Sequence, residues 1–383
     1  MLLNNYLQNK AGFELKKILF VATVSIHFQY FYLPYFEFLS KNGWEVSCVC
    51  SDPVSMPNCD INYSISIERL PLNIKNIAAY RKLEEIINNN NFDLIHCNTP
   101  MGGVLARIAA RKSRKHGTKV IYTAHGFHFY KDAPLINWIM YYPIEYLLSK
   151  FTDCLITIND EDYSIAKRKF KAGEIVHIHG VGYDHEKFYK PSKEKKDELR
   201  RKNGYSDSDI LLVYVAEINK NKNQTHLIKA VEIISKKNKN VRLLLIGPDR
   251  LSGKNQELAR QLGVENKVEF WGSRTDVYDL IPMCDIAVAS SIREGLPVNI
   301  MESLACGVPV VAADNRGHRA LVKNGENGYL TKINNEVELA ERVLEIIENH
   351  EIYESLSKNA CESVRVFSKN HVLEEMKAVY GRI

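Results

Sequence analysis

The stretch DIAVASSIREGLPVNIMESLACGVPVVAA, from Asp285 to Ala313, decides how this sequence is read. Asp285–Ser290 is a short apolar run of the kind that forms a strand buried on both faces. The run breaks at Arg293-Glu294-Gly295-Leu296-Pro297. Gly295 permits a tight turn with close backbone approach, and Pro297 suits the first position of a helix. Val298–Ala305 follows with helical spacing, stops at Cys306-Gly307, and leads to a second apolar run at Val308–Ala313. Strand, turn, helix, strand is the building unit of a parallel α/β sheet.

This unit also carries chemistry. The first amides of the helix, at Leu296, Val298 and Asn299, have no carbonyl partner within it. Together with the helix dipole they suit an anion such as a diphosphate. Glu294 stands before the helix and Glu302 lies about one and a half turns inside it. Carboxylates accept hydrogen bonds, so the hydroxyls of a sugar and of a ribose are their natural partners. The bland alternative makes Glu302 a solvated face residue and Glu294 a loop charge.

The same alternation extends over the whole chain. Strands are predicted at Lys17–Thr23, Trp44–Ser51, Asp93–Asn98, Lys119–Ala124 and Asp153–Asn159, with helices at Phe28–Lys41 and Gly103–Lys115. The texture changes after Lys187, where Pro191–Lys202 is charged and reads as a linker running into a surface helix. The rhythm then restarts, with strands at Asp209–Ala216, Val241–Gly247, Lys267–Phe270 and the two runs quoted above. Helices are predicted at Gln224–Lys236, Gln256–Leu262, Asp276–Met283, Glu336–Asn349, Ile352–Phe367 and Asn370–Tyr380. The fold class is therefore α/β, with two doubly wound, Rossmann-like domains in series. Ligands of such sheets bind beyond the carboxyl ends of the strands.

Composition narrows the function classes. The chain has 383 residues, 45% apolar and 25% charged, with a net charge of +5. That is enough for two domains with cores of their own. The eight cysteines form no CxxC pair and read as buried free thiols of a reducing compartment. Clustered Cys/His spacing for a metal is missing. Met1–Glu14 carries no apolar segment with a small-residue cleavage site, and no apolar run approaches the roughly 18 residues of a membrane span. A cytoplasmic location is expected. Arg107, Arg111, Lys112, Arg114, Lys115, His116 and Lys119 form a basic face, either solvated or attached to anionic lipid at the inner side of the membrane. The aromatic residues of Phe127–Tyr130 and Trp138–Tyr146 are expected in the core for the most part, with a lipid-linked acceptor as the other reading. Long basic stretches interleaved with exposed aromatics are missing, which argues against nucleic acid.

Glu294-Gly295-Leu296-Pro297 with Glu302 resembles the Glu-Gly-x-Pro…Glu motif of the retaining family-4 glycosyltransferases of GT-B fold. The bacterial members that build capsules, exopolysaccharides or lipid-linked glycans are the most similar. Thr123-Ala124-His125-Gly126, Asn219–His226 and Arg316-Gly317-His318-Arg319 resemble further segments of that family, and the likeness runs from about Lys17 to Tyr380. The resemblance implies two domains facing across a cleft: an acceptor-side domain over 1–187 and a nucleotide-sugar domain over 188–366. A C-terminal helix over 367–383 would pack back on the first domain. It implies a retaining hexosyltransferase moving a sugar from a nucleoside-diphosphate sugar, with uridine the family habit, to a saccharide or lipid-linked saccharide. No cofactor or metal is implied, the nucleotide sugar being a substrate. His125 and Glu294 would serve the transfer, with Glu294 on the donor sugar. Lys222 would neutralise the diphosphate, and Gly295, Leu296, Pro297 and Val298 would hold diphosphate and sugar. Glu302 would bind the ribose, and His27 would face the acceptor or remain a hydrogen-bonded loop histidine.

The sequence departs from the family pattern in three places. Ala216-Glu217 stands where many members have Gly-Arg, Ala320 replaces a family glutamate, and Thr23–His27 has no glycine where a Gly-Gly loop is usual. Two alternatives stay open: a nucleotide-sugar epimerase of GT-B fold, and a non-catalytic subunit that binds nucleotide sugar.

Overall fold

The computed structural model describes residues 15–70, 73–131 and 133–383. Met1–Glu14, where the leader-free reading was placed, lies outside the described residues. The chain forms two compact units, one made of the described residues up to Ile178 with Glu375–Ile383, the other of His179–Glu374. The chain thus enters the second unit ahead of the charged segment at Pro191–Lys202 and leaves it within the last helix, Lys369–Tyr380.

In the first unit seven strands form one parallel sheet: β1 Lys16–Val21, β2 Trp44–Cys50, β3 Ile61–Ser64, β4 Leu94–Asn98, β5 Lys119–Ala124, β6 Cys154–Thr157 and β7 Glu174–His177. Their order is β3-β2-β1-β4-β5-β6-β7. β1 and β4 are central, and Ile18–Val21 and Leu94–Cys97 are buried on both faces, as helices on either side of a parallel sheet require. The helix expected at Phe28–Lys41 is two helices, Ser25–Phe31 and Leu33–Lys41. Pro34 explains the break, because its ring excludes a continuous i−4 hydrogen-bond ladder and is tolerated only in a first turn. His27 consequently sits on a helix and not in a loop.

Arg107 corrects the expected basic face. It is fully buried on the helix Pro100–Ala109, with Nη1 2.9 Å from the Glu145 carboxylate. Its guanidinium lies 3.9 Å from the centre of the Tyr122 ring. A charge so placed tolerates burial only because a carboxylate meets it.

In the second unit six parallel strands, β8 Ile210–Val215, β9 Val241–Ile246, β10 Val268–Gly272, β11 Ile286–Ala289, β12 Val310–Ala313 and β13 Gly328–Thr331, are ordered β10-β9-β8-β11-β12-β13. β8 and β11 are adjacent at the centre although far apart in sequence, with Leu212 opposite Ile286. Successive connections leave this pair in opposite directions, which makes it the topological switch point where such sheets bind ligands. Among the described residues no helix is long and apolar enough to cross a membrane, and all eight cysteines are free, six of them buried.

Candidate active site

Three loops meet beyond the carboxyl ends of β8, β11 and β12. The loop after β8 is tied to the loop after β11 at three points. Ile292 N donates to Asn221 O at 2.8 Å, Asn221 Nδ2 to Arg293 O at 3.0 Å, and Ser290 Oγ to Lys222 O at 2.8 Å. Lys222 Nζ then meets Glu294 Oε1 at 2.6 Å. Both side chains are shielded, at 23% and 13% exposure. The two residues to which the resemblance gives diphosphate and sugar therefore hold each other.

The loop after β12 fixes Glu294 from a third side. Asn315 Nδ2 donates to Ser291 O at 2.8 Å, and Arg316 Nε to Glu294 O at 3.2 Å. Gly317 lies so close that a Cβ there would stand 2.6 Å from Glu294 Cβ and 2.9 Å from its carbonyl carbon. Any larger residue would displace the Glu294 backbone.

After a bend at Gly295-Leu296 the helix Val298–Ala305 begins where the spacing predicts it. Pro297 is not its first residue but its cap, with φ −79° and ψ 117°. No side chain caps the first turn, so its amides keep the capacity for an anion that the sequence indicated. Leu296 packs on Gly180, where an added Cβ would lie 2.6 Å from Leu296 Cδ2. Further along, the Glu302 carboxyl has no hydrogen-bond or ion-pair partner among the described residues. Burial pushes its carboxyl up to about 8, with Asp184 adding to the rise and Lys369 opposing it. A carboxyl in such a place lacks the donors that would stabilise its ionised form.

Position 217, where the family carries a cation, holds Glu217, and this residue recruits one. Arg250 Nε lies 2.7 Å from its carboxylate, and Asn219 Nδ2 donates to it at 2.8 Å. Asn219 Oδ1 in turn accepts from Lys222 N at 2.9 Å. A guanidinium is therefore present beside the loop, supplied from another part of the chain, with its charge matched by Glu217.

In the first unit, His125 follows β5 and His27 rises from the helix Ser25–Phe31. Their rings meet edge to face with centres 4.7 Å apart. His27 Nε2 is buried without a partner. Burial lowers His27 to about 4 and His96 to about 3, and it holds His125 well below its usual value. All three are therefore neutral near pH 7, and their tautomers matter.

The hydrogen bonds fix one of those tautomers. Tyr32 gives its proton to Asn98 Oδ1. His96 is held between two hydroxyls, its Nε2 2.8 Å from Thr123 Oγ1 and its Nδ1 2.8 Å from the Tyr380 hydroxyl. His125 Nε2 donates to the same Asn98 oxygen at 3.4 Å, leaving its Nδ1 as an acceptor. Next to this network is a largely apolar cavity of about 780 Å³, lined among others by His27, Tyr30, Met101, Phe129 and Ile144.

The structure thus gathers Lys222, Glu294, Gly295, Leu296, Pro297 and Val298 at one switch point, with Glu302 deeper on the same helix, and His27 with His125 in the other unit. Sequence reasoning missed Asn221, Arg250, Gly317, Asn98, His96 and Tyr380. Only Asn221 and Gly317 carried a signal, as parts of the segments Asn219–His226 and Arg316–Arg319.

Residues 195–363 match the family Glycosyl transferases group 1, and residues 17–159 match Glycosyl transferase 4-like. The chain is 44% identical over 367 residues to EpsD of Bacillus subtilis (strain 168), named as a glycosyltransferase, covering 96% of each chain. It is 24% identical over 311 residues to the UDP-Gal:alpha-D-GlcNAc-diphosphoundecaprenol alpha-1,3-galactosyltransferase of Escherichia coli, covering 78% of this chain and 79% of the relative. Among solved structures, Anabaena Alr3699/HepE in complex with UDP and glucose superposes with a TM-score of 0.75 at 20% identity, covering 96% of this chain and all of that one. With two parallel Rossmann-like sheets and these matches over both units, the chain belongs to the group 1 glycosyltransferases of GT-B fold.

Proposed function

We propose that this glycosyltransferase takes a sugar from a nucleoside-diphosphate sugar, with uridine as the base, and transfers it with retention to a saccharide or lipid-linked saccharide during polysaccharide synthesis in the cytoplasm. One observation carries the reading: the Lys222–Glu294 pair at 2.6 Å stands between an uncapped helix start and the loop after β8. That is a ready site for a diphosphate and a hydroxylated ring. The E. coli relative named for UDP-Gal and the HepE complex with UDP support the uridine donor.

In this reading Lys222 turns from Glu294 to the diphosphate when donor binds, and offsets the charge that grows as the nucleotide leaves. The released Glu294 accepts hydrogen bonds from the donor sugar, and Glu302 from the ribose. Gly295, Leu296, Pro297 and Val298 line the diphosphate and sugar. His125 presents its Nδ1 lone pair to a hydroxyl, and His27 serves the acceptor. The departing phosphate oxygen takes the acceptor's proton as the new bond forms on the same face, so no side chain acts as base.

The test is release of nucleoside diphosphate from a panel of nucleotide sugars, with and without acceptor, in excess EDTA. Acceptor-dependent release, and a product with the donor's anomeric configuration by NMR, is the expected result. Conversion of the sugar without acceptor would make the protein an epimerase. Binding without turnover would make it a non-catalytic subunit. An inverted product, or loss of activity to EDTA, would refute the mechanism.

A further inference from the structure

Thr99 stands in a backbone conformation that threonine avoids. Its φ of 62° and ψ of 150° fall in a region that glycine alone takes readily. Pro100, which follows, accounts for the ψ. It does not account for the φ, which a β-branched side chain makes costlier still. Such a conformation persists only where the surroundings over-determine it. Here Gly103 N donates to Thr99 O at 2.8 Å, and Thr23 N donates to Thr99 Oγ1 at 3.2 Å. Gly102 leaves room for that oxygen, since a Cβ there would stand 2.8 Å from it and 3.3 Å from Ala22 Cα.

Thr23 follows β1 and Thr99 follows β4, the adjacent central strands of the first sheet. The chain leaves that pair in opposite directions, to β2 and to β5, so the two threonines mark the switch point of this unit. Both line the 780 Å³ cavity, together with His27 and Gly126. Their hydroxyl oxygens are 2.9 Å apart. Apart from that contact and the Thr23 amide, neither hydroxyl has a hydrogen-bond partner among the described residues. Two hydroxyls carry two protons and here share one bond. Whichever of them donates, one O–H remains unspent at the wall of a largely apolar cavity. His125, on the ring that meets His27, offers a lone pair at Nδ1. A sugar ring, whose hydroxyls both accept and donate, is complementary to such a set.

We propose that Thr23 and the strained Thr99 form a hydroxyl clasp that donates one hydrogen bond to the acceptor saccharide and so helps to select it. Reverting φ of Thr99 to a negative value re-aims its Cα–Cβ bond and parts the two hydroxyls. The strain is therefore retained for the pair and not for stability, as is usual where a fold serves a ligand. The loop after β1 carries Thr23 and no glycine up to His27, so it meets the acceptor with a side-chain hydroxyl. The assignment rests on the reading that the acceptor binds in the first unit, and it does not depend on the donor residues.

The test compares the full chain with Thr99→Ser, which keeps a hydroxyl, and with Thr99→Ala and Thr99→Gly, which lack one. Saturation-transfer NMR follows the binding of p-nitrophenyl glycosides of glucose, galactose, N-acetylglucosamine and N-acetylgalactosamine. Wild type is expected to bind at least one of them and Thr99→Ser to bind it comparably, whereas Thr99→Ala and Thr99→Gly bind it about three- to tenfold more weakly. Thermal melts read the strain: Thr99→Gly is expected to melt above Thr99→Ala, the reverse of the order at an ordinary position. Equal glycoside binding by wild type, Thr99→Ala and Thr99→Gly overturns the proposal and leaves the pair a structural clasp. A wild type that binds none of the glycosides overturns it too, as does Thr99→Ala melting at or above Thr99→Gly. Thermal stabilisation by UDP-glucose reports the donor reading separately. Its absence in wild type would sink that reading, while glycoside binding still decides the role of the threonines.

Discussion

Glu302 makes the proposed donor site testable through protons. Burial moves its carboxyl from the ordinary 4.5 up to about 8, so at pH 7 roughly one ligand-free molecule in ten carries the carboxylate. Ribose hydroxyls donate, and the ionised carboxylate is the better acceptor. Binding of a nucleotide sugar should therefore drive off close to one proton at pH 7. Affinity should tighten about tenfold, or about 1.4 kcal/mol, between pH 7 and pH 9. A nucleotide sugar is the proper ligand, because its diphosphate carries no proton in this range. Isothermal titration calorimetry in buffers of different ionisation enthalpy counts the released proton directly. Glu302→Gln should bind more weakly at pH 9, with no proton release and a flat pH profile. An affinity independent of pH in wild type, or a proton count near zero, would refute the assignment of Glu302 to the ribose.

The same group bears on stability with a definite sign. A carboxyl raised by folding favours the protonated chain, so its contribution is intact below pH 4.5 and is lost as pH rises to about 8. The full loss would be about 5 kcal/mol for complete burial, and nearer roughly 2–3 kcal/mol for a carboxyl that keeps some water. Glu302→Gln should accordingly raise the melting temperature of the ligand-free protein at pH 8 and leave it unchanged at pH 4. Such a gain at the expense of binding is the usual relation between a functional site and the fold that carries it.

Three further outcomes are expected. Glu294→Ala and His125→Ala should each lower turnover at saturating donor by about 10²–10³-fold, measured by nucleotide release, and wild-type turnover in both would dismiss the roles given them. Arg107→Met strands the Glu145 carboxylate and should cost about 3–5 kcal/mol in chemical denaturation, whereas Arg107→Met/Glu145→Gln should recover most of it. A single variant as stable as wild type would mean that the pair is solvated. His27, lowered to about 4 by burial, contributes stability that is present above 6.5 and lost as pH falls to about 4. His27→Gln should flatten that part of the stability profile in thermal melts, and an unchanged acid limb would show that another group dominates.

The sequence legibility of this protein follows sheet position. Central strands read clearly because both their faces are buried, and Lys119–Ala124 was bounded to the residue. The edge strands β3 (INYS) and β7 (EIVH) carry polar residues and at most four positions, too few for periodicity to register. The helix Asp160–Lys169 was missed for another reason: its signal is a cap, Asn159 accepting from Asp162 N, and not an apolar stripe. At the donor site, spacing placed Glu294 and Glu302 on either side of a helix start. It gave no hint that Lys222 and Glu294 pair, since 72 positions separate them.

One buried pair explains two helices. Arg107 looked solvated because it lies among other cations, and its partner Glu145 is the one acidic residue in an apolar, aromatic helix. Each makes sense only with the other, across 38 positions of chain, and neither pattern contains that pairing. Once Glu145 turns inward to meet Arg107, the helix that carries it is oriented. Trp138, Tyr142 and Tyr146 then pack with it on the core, and the residues left outside are Leu135, Ile136, Ile139, Met140, Ile144 and Leu147. A single buried ion pair therefore accounts for a face that hydrophobicity alone would have turned to the interior. Reversing that logic gives a sharp expectation: Glu145→Leu with Arg107→Leu removes the reason for the orientation, and should raise the exchange of the helix amides with solvent deuterium even where global stability is retained.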